Sequence, residues 1–265
     1  MTFDIQSAIA AAKTTAPNMT EAQKGGGTYV PPAAGIVRCR FIAYYELGNH
    51  TQKVVGKPDQ KKDMVRLVFE LSGPGHEPKP SDKGPIPERL SIDVPYSLNE
   101  KAHFFKLFSV MNWEHKATHI AELLGQDFLG EVIHTASRAD ATKVYAGFKS
   151  ANGYTIKAPQ YVDPLSATTV RVPVDPPITP LSIFLWNNPS KAMWDSIFID
   201  GEYEEGKSKN VIQEKIMSAN NFIGSPIHQI VASGTETGMV LGASQPAPAA
   251  PANATTQADP LAGLQ

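Results

Sequence analysis

The chain of 265 residues contains a single cysteine, Cys39. That count excludes an intramolecular disulfide framework and a cysteine-built zinc site. Cys39 falls on the core face of the first strand and reads as a small buried hydrophobe rather than a reactive thiol. Long apolar stretches are also missing, since none approaches the ~18 residues of a membrane span. The first residues lack a basic start followed by a sustained apolar run, so no secretory signal is expected and the protein is expected in the cytoplasm. The glycosylation-type triplets at Asn18, Asn49 and Asn253 then read as chance matches.

Catalytic signatures are absent as well. There is no G-x-x-x-x-G-K-[ST], no G-x-G-x-x-G, no G-x-S-x-G and no H-E-x-x-H. His115 and His119 are four apart, a spacing that on a helix would give one face, with Glu122 as the only nearby third ligand. Zinc takes three or four good ligands, so two surface histidines is the simpler reading. Glu204 and Glu205 fall in an acidic turn where nothing would raise a carboxylate pKa. No enzyme, metal or cofactor is expected, and a nuclease built from scattered acids is the weakest of three readings.

What is present is a division of charge. The net charge of −2 hides 17 Lys/Arg against 14 Asp/Glu over residues 36–157, a net of +3. Residues 158–265 carry 5 against 10, a net of −5. A mildly basic body with an acidic appendage suits an anionic partner of the body. The 22 prolines and 20 glycines suggest many loops and disordered ends.

Hydrophobic alternation places five strands in the basic part. Over Ile36–Gly48 the odd positions Val37, Cys39, Phe41, Ala43, Tyr45 and Leu47 read as a core face. The even positions Arg38, Arg40, Tyr44 and Glu46 read as the opposite face, with Ile36 and Ile42 as apolar exceptions. Guanidiniums interleaved with a phenol suit a single-stranded nucleic acid, the cations taking phosphates and the ring a base. Met64–Leu71 alternates Val65, Leu67, Phe69 and Leu71 with Arg66 and Glu70. Leu90–Tyr96 is a third strand. A helix follows over Leu98–Met111, with Phe104, Leu107, Phe108 and Met111 on one face and Asn99 as its N-cap. A second helical turn over Ala117–Leu124 stops at Gly125. Phe128–Thr135 and Thr142–Lys149 complete the set, the last with Val144, Ala146 and Phe148 inward and Lys143, Tyr145 and Lys149 outward. The loop His50–Lys62 adds Lys53, Lys57, Lys61 and Lys62 against one acid, Asp59.

The order β-β-β-α-β-β is that of the OB-fold, a five-stranded Greek-key barrel that binds oligonucleotides on strands 2 and 3 and adjoining loops. The expected class is mainly β with α additions. An N-terminal arm spans 1–34, the barrel 35–157, an extension with short helices 158–232 and a disordered tail 233–265. In the extension, Pro159–Pro180 reads as extended and surface-bound, Leu181–Trp186 as an apolar run, and Ser190–Phe198 and Asn210–Ala219 as helices. Trp186 and Trp194 read as anchors on the barrel or on a partner subunit. The tail from Ser233 is too poor in apolar residues to fold.

Gly35–Gly73, the junction Leu123-Leu124-Gly125-Gln126-Asp127-Phe128-Leu129-Gly130-Glu131-Val132 and the stretch Ile183-Phe184-Leu185-Trp186-Asn187-Asn188-Pro189 through Trp194-Asp195-Ser196-Ile197-Phe198 resemble single-stranded DNA-binding proteins of tailed bacteriophages. The resemblance covers roughly residues 25–230. It implies a protein that coats strands exposed in phage DNA replication and recombination, in the cytoplasm of the bacterial host. It also implies replication or recombination proteins, or host RNA polymerase, as partners. The tail departs from the family pattern, with only Glu236 and Asp259 as acids and no terminal aromatic. The expected DNA-binding residues are Arg38, Arg40, Tyr44, Lys53, Lys57, Lys61, Lys62, Arg66, Lys143, Tyr145 and Lys149. A protein-interaction or regulatory factor on a barrel scaffold is the second reading. Oligomeric state stays open.

Overall fold

β2 (Gln60–Ser72) shows most simply why this sequence makes a sheet. Val65, Leu67, Phe69 and Leu71 point into one core and are buried, while Arg66 and Val68 on the alternate face are half-buried. β-Branched and aromatic side chains pack well on such a pleated, half-covered surface. The strand pairs antiparallel with β1 (Gly35–Gln52) on one edge and β3 (Arg89–Pro95) on the other. The computed structural model describes residues 30–236 except 54, 55, 57, 83, 138, 139, 204 and 205, with the backbone alone for 234–236. Most of the expected arm and tail, and Lys57, therefore lie outside the described residues.

The free edge of β1 is shared. Gly35–Arg40 pairs antiparallel with β4 (Asp127–Ala136), and Ala43–Tyr45 pairs parallel with a segment from the extension, labelled β10 (Ser182–Phe184). β5 (Val144–Gly147) follows β4 in the sheet, giving the order β3-β2-β1-β4-β5 with β10 beside β1. The protein is mainly β, with an antiparallel sheet of five strands and this sixth parallel addition. The sheet is not closed: β3 and β5 approach each other, but no ladder joins them among the described residues. Two small hairpins follow, β6 (Lys149–Ser150) with β7 (Gly153–Tyr154) and β8 (Gln160–Val162) with β9 (Thr169–Arg171).

The first helix, α1 (His103–Met111), begins later than its sequence pattern suggests. Asn99 is not its cap. Its Oδ1 accepts from the Lys101 N–H at 2.9 Å, one turn early, and Ala102 holds the cap position with no side-chain bond. Phe104, Leu107 and Met111 still reach the core. The expected turn at 117–124 is a 3-10 helix over Ile120–Leu123. α2 (Lys191–Ser196) starts at Ser190, whose hydroxyl accepts from Met193 N–H at 3.1 Å. α3 (Val211–Met217) and α4 (Pro226–Glu236) follow, so helix continues past the Ser233 at which the tail was expected to begin.

β1 carries the main departure from the sequence reading. Phe41 pairs with Phe69 but Ala43 with Val68, so Ile42 is an extra residue. Glu46 pairs with Val65 but Gly48 with Met64, so Leu47 is a second. Each bulge sets two residues against one and reverses the alternation beyond it. Val37, Cys39 and Phe41 face the main core, but past Ile42 that face belongs to Tyr44, which is 0% exposed. The residue expected on the solvent face is in the interior. Burial pushes its hydroxyl pKa up, and Glu46, which accepts from it at 3.3 Å, adds to the shift.

The reversal gives β1 a second core. Leu47 and Met64 pack with Phe184, Trp186, Ile197, Ile212, Ile216, Phe222 and Ile227 from the extension. Trp186 thus anchors the extension on the sheet of its own chain, its N–H donating to Glu46 at 2.7 Å. Gly48 has φ +79°, and a Cβ there would run into the Trp186 ring. A glycine is required at this contact.

Candidate nucleic-acid interface

The expected binding residues divide into four groups. Arg40 belongs to the fold. Its guanidinium donates to the carbonyls of Gly125 (2.8 Å), Val174 (2.6 Å) and Asp175 (2.8 Å). The proline-rich segment before β10 is fastened across the outer face of the sheet by these bonds. Glu70 completes the fastening: it is 4% exposed and accepts from the amides of Ile178 (2.7 Å) and Thr179 (2.8 Å). Tyr44 belongs to the core, and a ring without exposed surface has no face for a base. Both are corrections to the exposed placement expected of them, caused by the Ile42 bulge and by the strap over the outer face.

Arg66 is a second group by itself. It makes a bidentate pair with Asp93, both bonds 2.6 Å, which holds its pKa above the ordinary value. A guanidinium already occupied by a carboxylate is a poorer phosphate ligand than a free one.

The third group lies on the β1–β2 hairpin. The ladder runs to its end through His50 with Lys62, Thr51 with Lys61 and Gln52 with Gln60. Lys53, Lys61 and Lys62 are exposed, and none forms an ion pair among the described residues. Beside them opens a cleft of about 460 Å³ lined by Asn49, Lys61, Lys62, Asp63, Tyr96, Ala102 and His103 among others. An adjoining hollow of about 320 Å³ shares Asp63 and Tyr96 and reaches Trp186 and Asn187. Tyr96 stands at the junction, 38% exposed and braced by Phe104 at 4.8 Å between ring centroids. His103 contacts the Tyr154 ring edge-on at 6.1 Å. Burial and nearby Asp93 push the Tyr154 hydroxyl up to about 12. Because Ala102 offers no side-chain cap, the first-turn amides of α1 keep their partial positive charge at this cleft.

The fourth group is remote. β4 runs past the first residue of β1, since Gly35 pairs with Val132 and the strand continues to Ala136. The β4–β5 turn therefore lies beyond the opposite end of β1 from the hairpin. Tyr145 is 53% exposed there, and Lys143 reaches Asp140 only at 3.8 Å. Lys149 is the exception, exposed in β6 opposite Tyr154, whose ring meets His103 of the cleft. Arg38 lies on the outer face near this end and makes no hydrogen bond or ion pair among the described residues.

Tyr96, His103 and Tyr154 were not among the residues expected from the sequence. Tyr96 marks a strand end there, and nothing in one chain's spacing shows that β3, α1 and β7 meet. His115 and His119 do not share a helix face. His115 lies in a loop at φ +55°, while His119 caps the 3-10 turn, its Nδ1 accepting from Ala121 N–H at 3.2 Å. Glu122 is turned back onto Thr118 and the His119 amide, bonds that lower its pKa. Among the described residues no three His, Cys, Asp or Glu side chains converge as metal ligands, and no helix is long and apolar enough to cross a membrane. Cys39 is fully buried, and burial raises its thiol pKa.

No family model, curated protein or solved structure matches this chain.

Proposed function

We propose that this protein binds single-stranded DNA without catalysing a reaction, gripping it at the β1–β2 hairpin and the cleft beside it. The observation that carries this reading is the set of exposed, unpaired lysines Lys53, Lys61 and Lys62 next to a cleft containing Tyr96 and His103. Ammonium groups take successive phosphates, and a half-exposed ring offers a face to an unpaired base whatever its identity. An opened OB-type barrel fits the strand order, with the hairpin in the place of the loop that such barrels use for oligonucleotides. The resemblance to phage single-stranded DNA-binding proteins supports the same role, that of coating strands during replication and recombination in a bacterial host.

The test is fluorescence anisotropy with a labelled oligodeoxynucleotide, single-stranded and duplex, over a range of salt. Three hairpin lysines give a slope of log K against log salt near −2, at ~0.7 per phosphate on a single strand. Equal affinity for duplex, or binding indifferent to salt, would reject the proposal. A protein-docking role is the second reading, favoured by Phe198, Ile199 and Tyr203, which lie exposed on the extension. Absence of any DNA binding would leave that reading in place.

A further inference from the structure

The outer face of the sheet holds a second basic cleft, away from the hairpin. Arg38 pairs across the ladder with Leu129, and Leu129 bridges in turn to Lys157, with N–H···O bonds of 3.0 and 2.8 Å. The three residues therefore stand in one row, and directly opposed residues of a sheet share a face. Two inter-strand spacings put the Arg38 and Lys157 backbones about 10 Å apart. Their side chains line a hollow of about 260 Å³ with Ile36, Leu129, Tyr161 and Val172. Tyr161 is 52% exposed and Ile36 71%. No acid lines the hollow. On the same face of β4, Asp127 is taken by Arg171 at 3.0 Å, and Glu131 pairs in register with Ile36 without reaching either cation. Neither Arg38 nor Lys157 has an ionic partner among the described residues.

Two uncompensated cations flanking an aliphatic floor, with an exposed phenol on the rim, form a receptor for a phosphate carrying an apolar or aromatic group. We infer that Arg38, Lys157 and Tyr161 form a second subsite for the same nucleic-acid strand, a phosphodiester lying between the cations and a base on Tyr161. This rests on the single-strand reading above and extends it. A strand held at both places runs along the sheet from the hairpin end of β1 to its beginning, so the subsite is reached only by a long oligonucleotide. A free phosphate anion shares the chemistry of the cations but not of the ring.

The experiment compares the full chain with R38A/K157A and with Y161A, using a short and a long oligothymidylate. For the long strand R38A/K157A should flatten the salt slope by about 1.4, two phosphates at ~0.7 each. Tyr161→Ala should weaken long-strand binding about tenfold without changing the slope. The short strand should bind all three proteins alike. Protection of Lys157 from an amine-reactive reagent by the long strand, and not by inorganic phosphate, identifies the strand as the ligand. Protection by inorganic phosphate alone assigns the cleft to a free anion and overturns the inference. An unchanged long-strand slope overturns it too, while leaving the hairpin grip intact. If the full chain binds neither oligonucleotide, both readings fall together.

Discussion

β1 and β2 are neighbours of similar composition, yet only one obeys the alternation of its sequence to the end. β2 keeps Val65, Leu67, Phe69 and Leu71 on one face without interruption. β1 changes face at Ile42 and again at Leu47. The reason lies in what each must cover. β2 is flanked by β1 and, over Met64–Glu70, by β3, whereas β1 takes β4 on its first part, β10 on its middle part and a second core above its far half. Extra residues let one long strand bend between these partners. A strand that serves two cores cannot keep one face for solvent.

The largest effects should come from the residues on either side of the first bulge. Phe41→Ala and Tyr44→Ala should each cost about 3–5 kcal/mol in denaturant unfolding, as large rings lost from a core. If Tyr44→Ala instead keeps its stability and loses DNA binding, the face reversal is wrong. Gly48→Ala comes next. Leaving the positive-φ region unstrained is not open to alanine, at about 1–2 kcal/mol, and displacing Trp186 adds about 1–3 kcal/mol of overpacking. A stability equal to the parent protein would show that Trp186 does not sit against Gly48.

Arg40→Ala should cost about 1.5–3 kcal/mol, the range for hydrogen bonds to a charged group. Hydrogen exchange should then quicken at the amides of Ile178 and Thr179, which the strap holds against Glu70. Unaltered exchange would mean that Arg40 does not fasten the strap. The smallest effect is one of pH. His50 is 6% exposed, its Nε2 lies 2.9 Å from the Leu47 carbonyl, and burial lowers its pKa below the ordinary 6.5. The folded protein thus keeps His50 neutral while the unfolded chain takes up a proton near pH 6.5. Its contribution is full above about pH 6.5 and is lost as pH falls through the depressed folded value. Unfolding midpoints measured across that window should fall less in His50→Asn than in the parent.

Much of the fold was legible because β2, β3, β4 and α1 each keep one uninterrupted face against the main core, and a single period describes them. Val144, Phe148 and Tyr145 also fell on the expected faces. The bulges were not legible, since Ile42 and Leu47 are apolar residues of types common in any strand and nothing in their type marks an insertion. Of the two apolar exceptions to the alternation, Ile36 and Ile42, only Ile42 is a bulged residue. Of the candidate site, the hairpin lysines were legible as a charge cluster in one loop. The fates of Arg40 and Arg66 were not, because Val174, Asp175 and Asp93 approach them from distant parts of the chain. Tyr96, His103, Lys157 and Tyr161 were missed for the same reason.

The most direct test of the hairpin as the DNA grip is the salt dependence of single-strand affinity in K61A/K62A beside Tyr44→Phe, which keeps the buried ring. The account predicts that K61A/K62A flattens the slope by about 1.4, at ~0.7 per phosphate, with an unchanged melting temperature, while Tyr44→Phe binds DNA as the parent does. A parental slope in K61A/K62A together with weakened binding in Tyr44→Phe would contradict it, and would return the DNA to the face of β1.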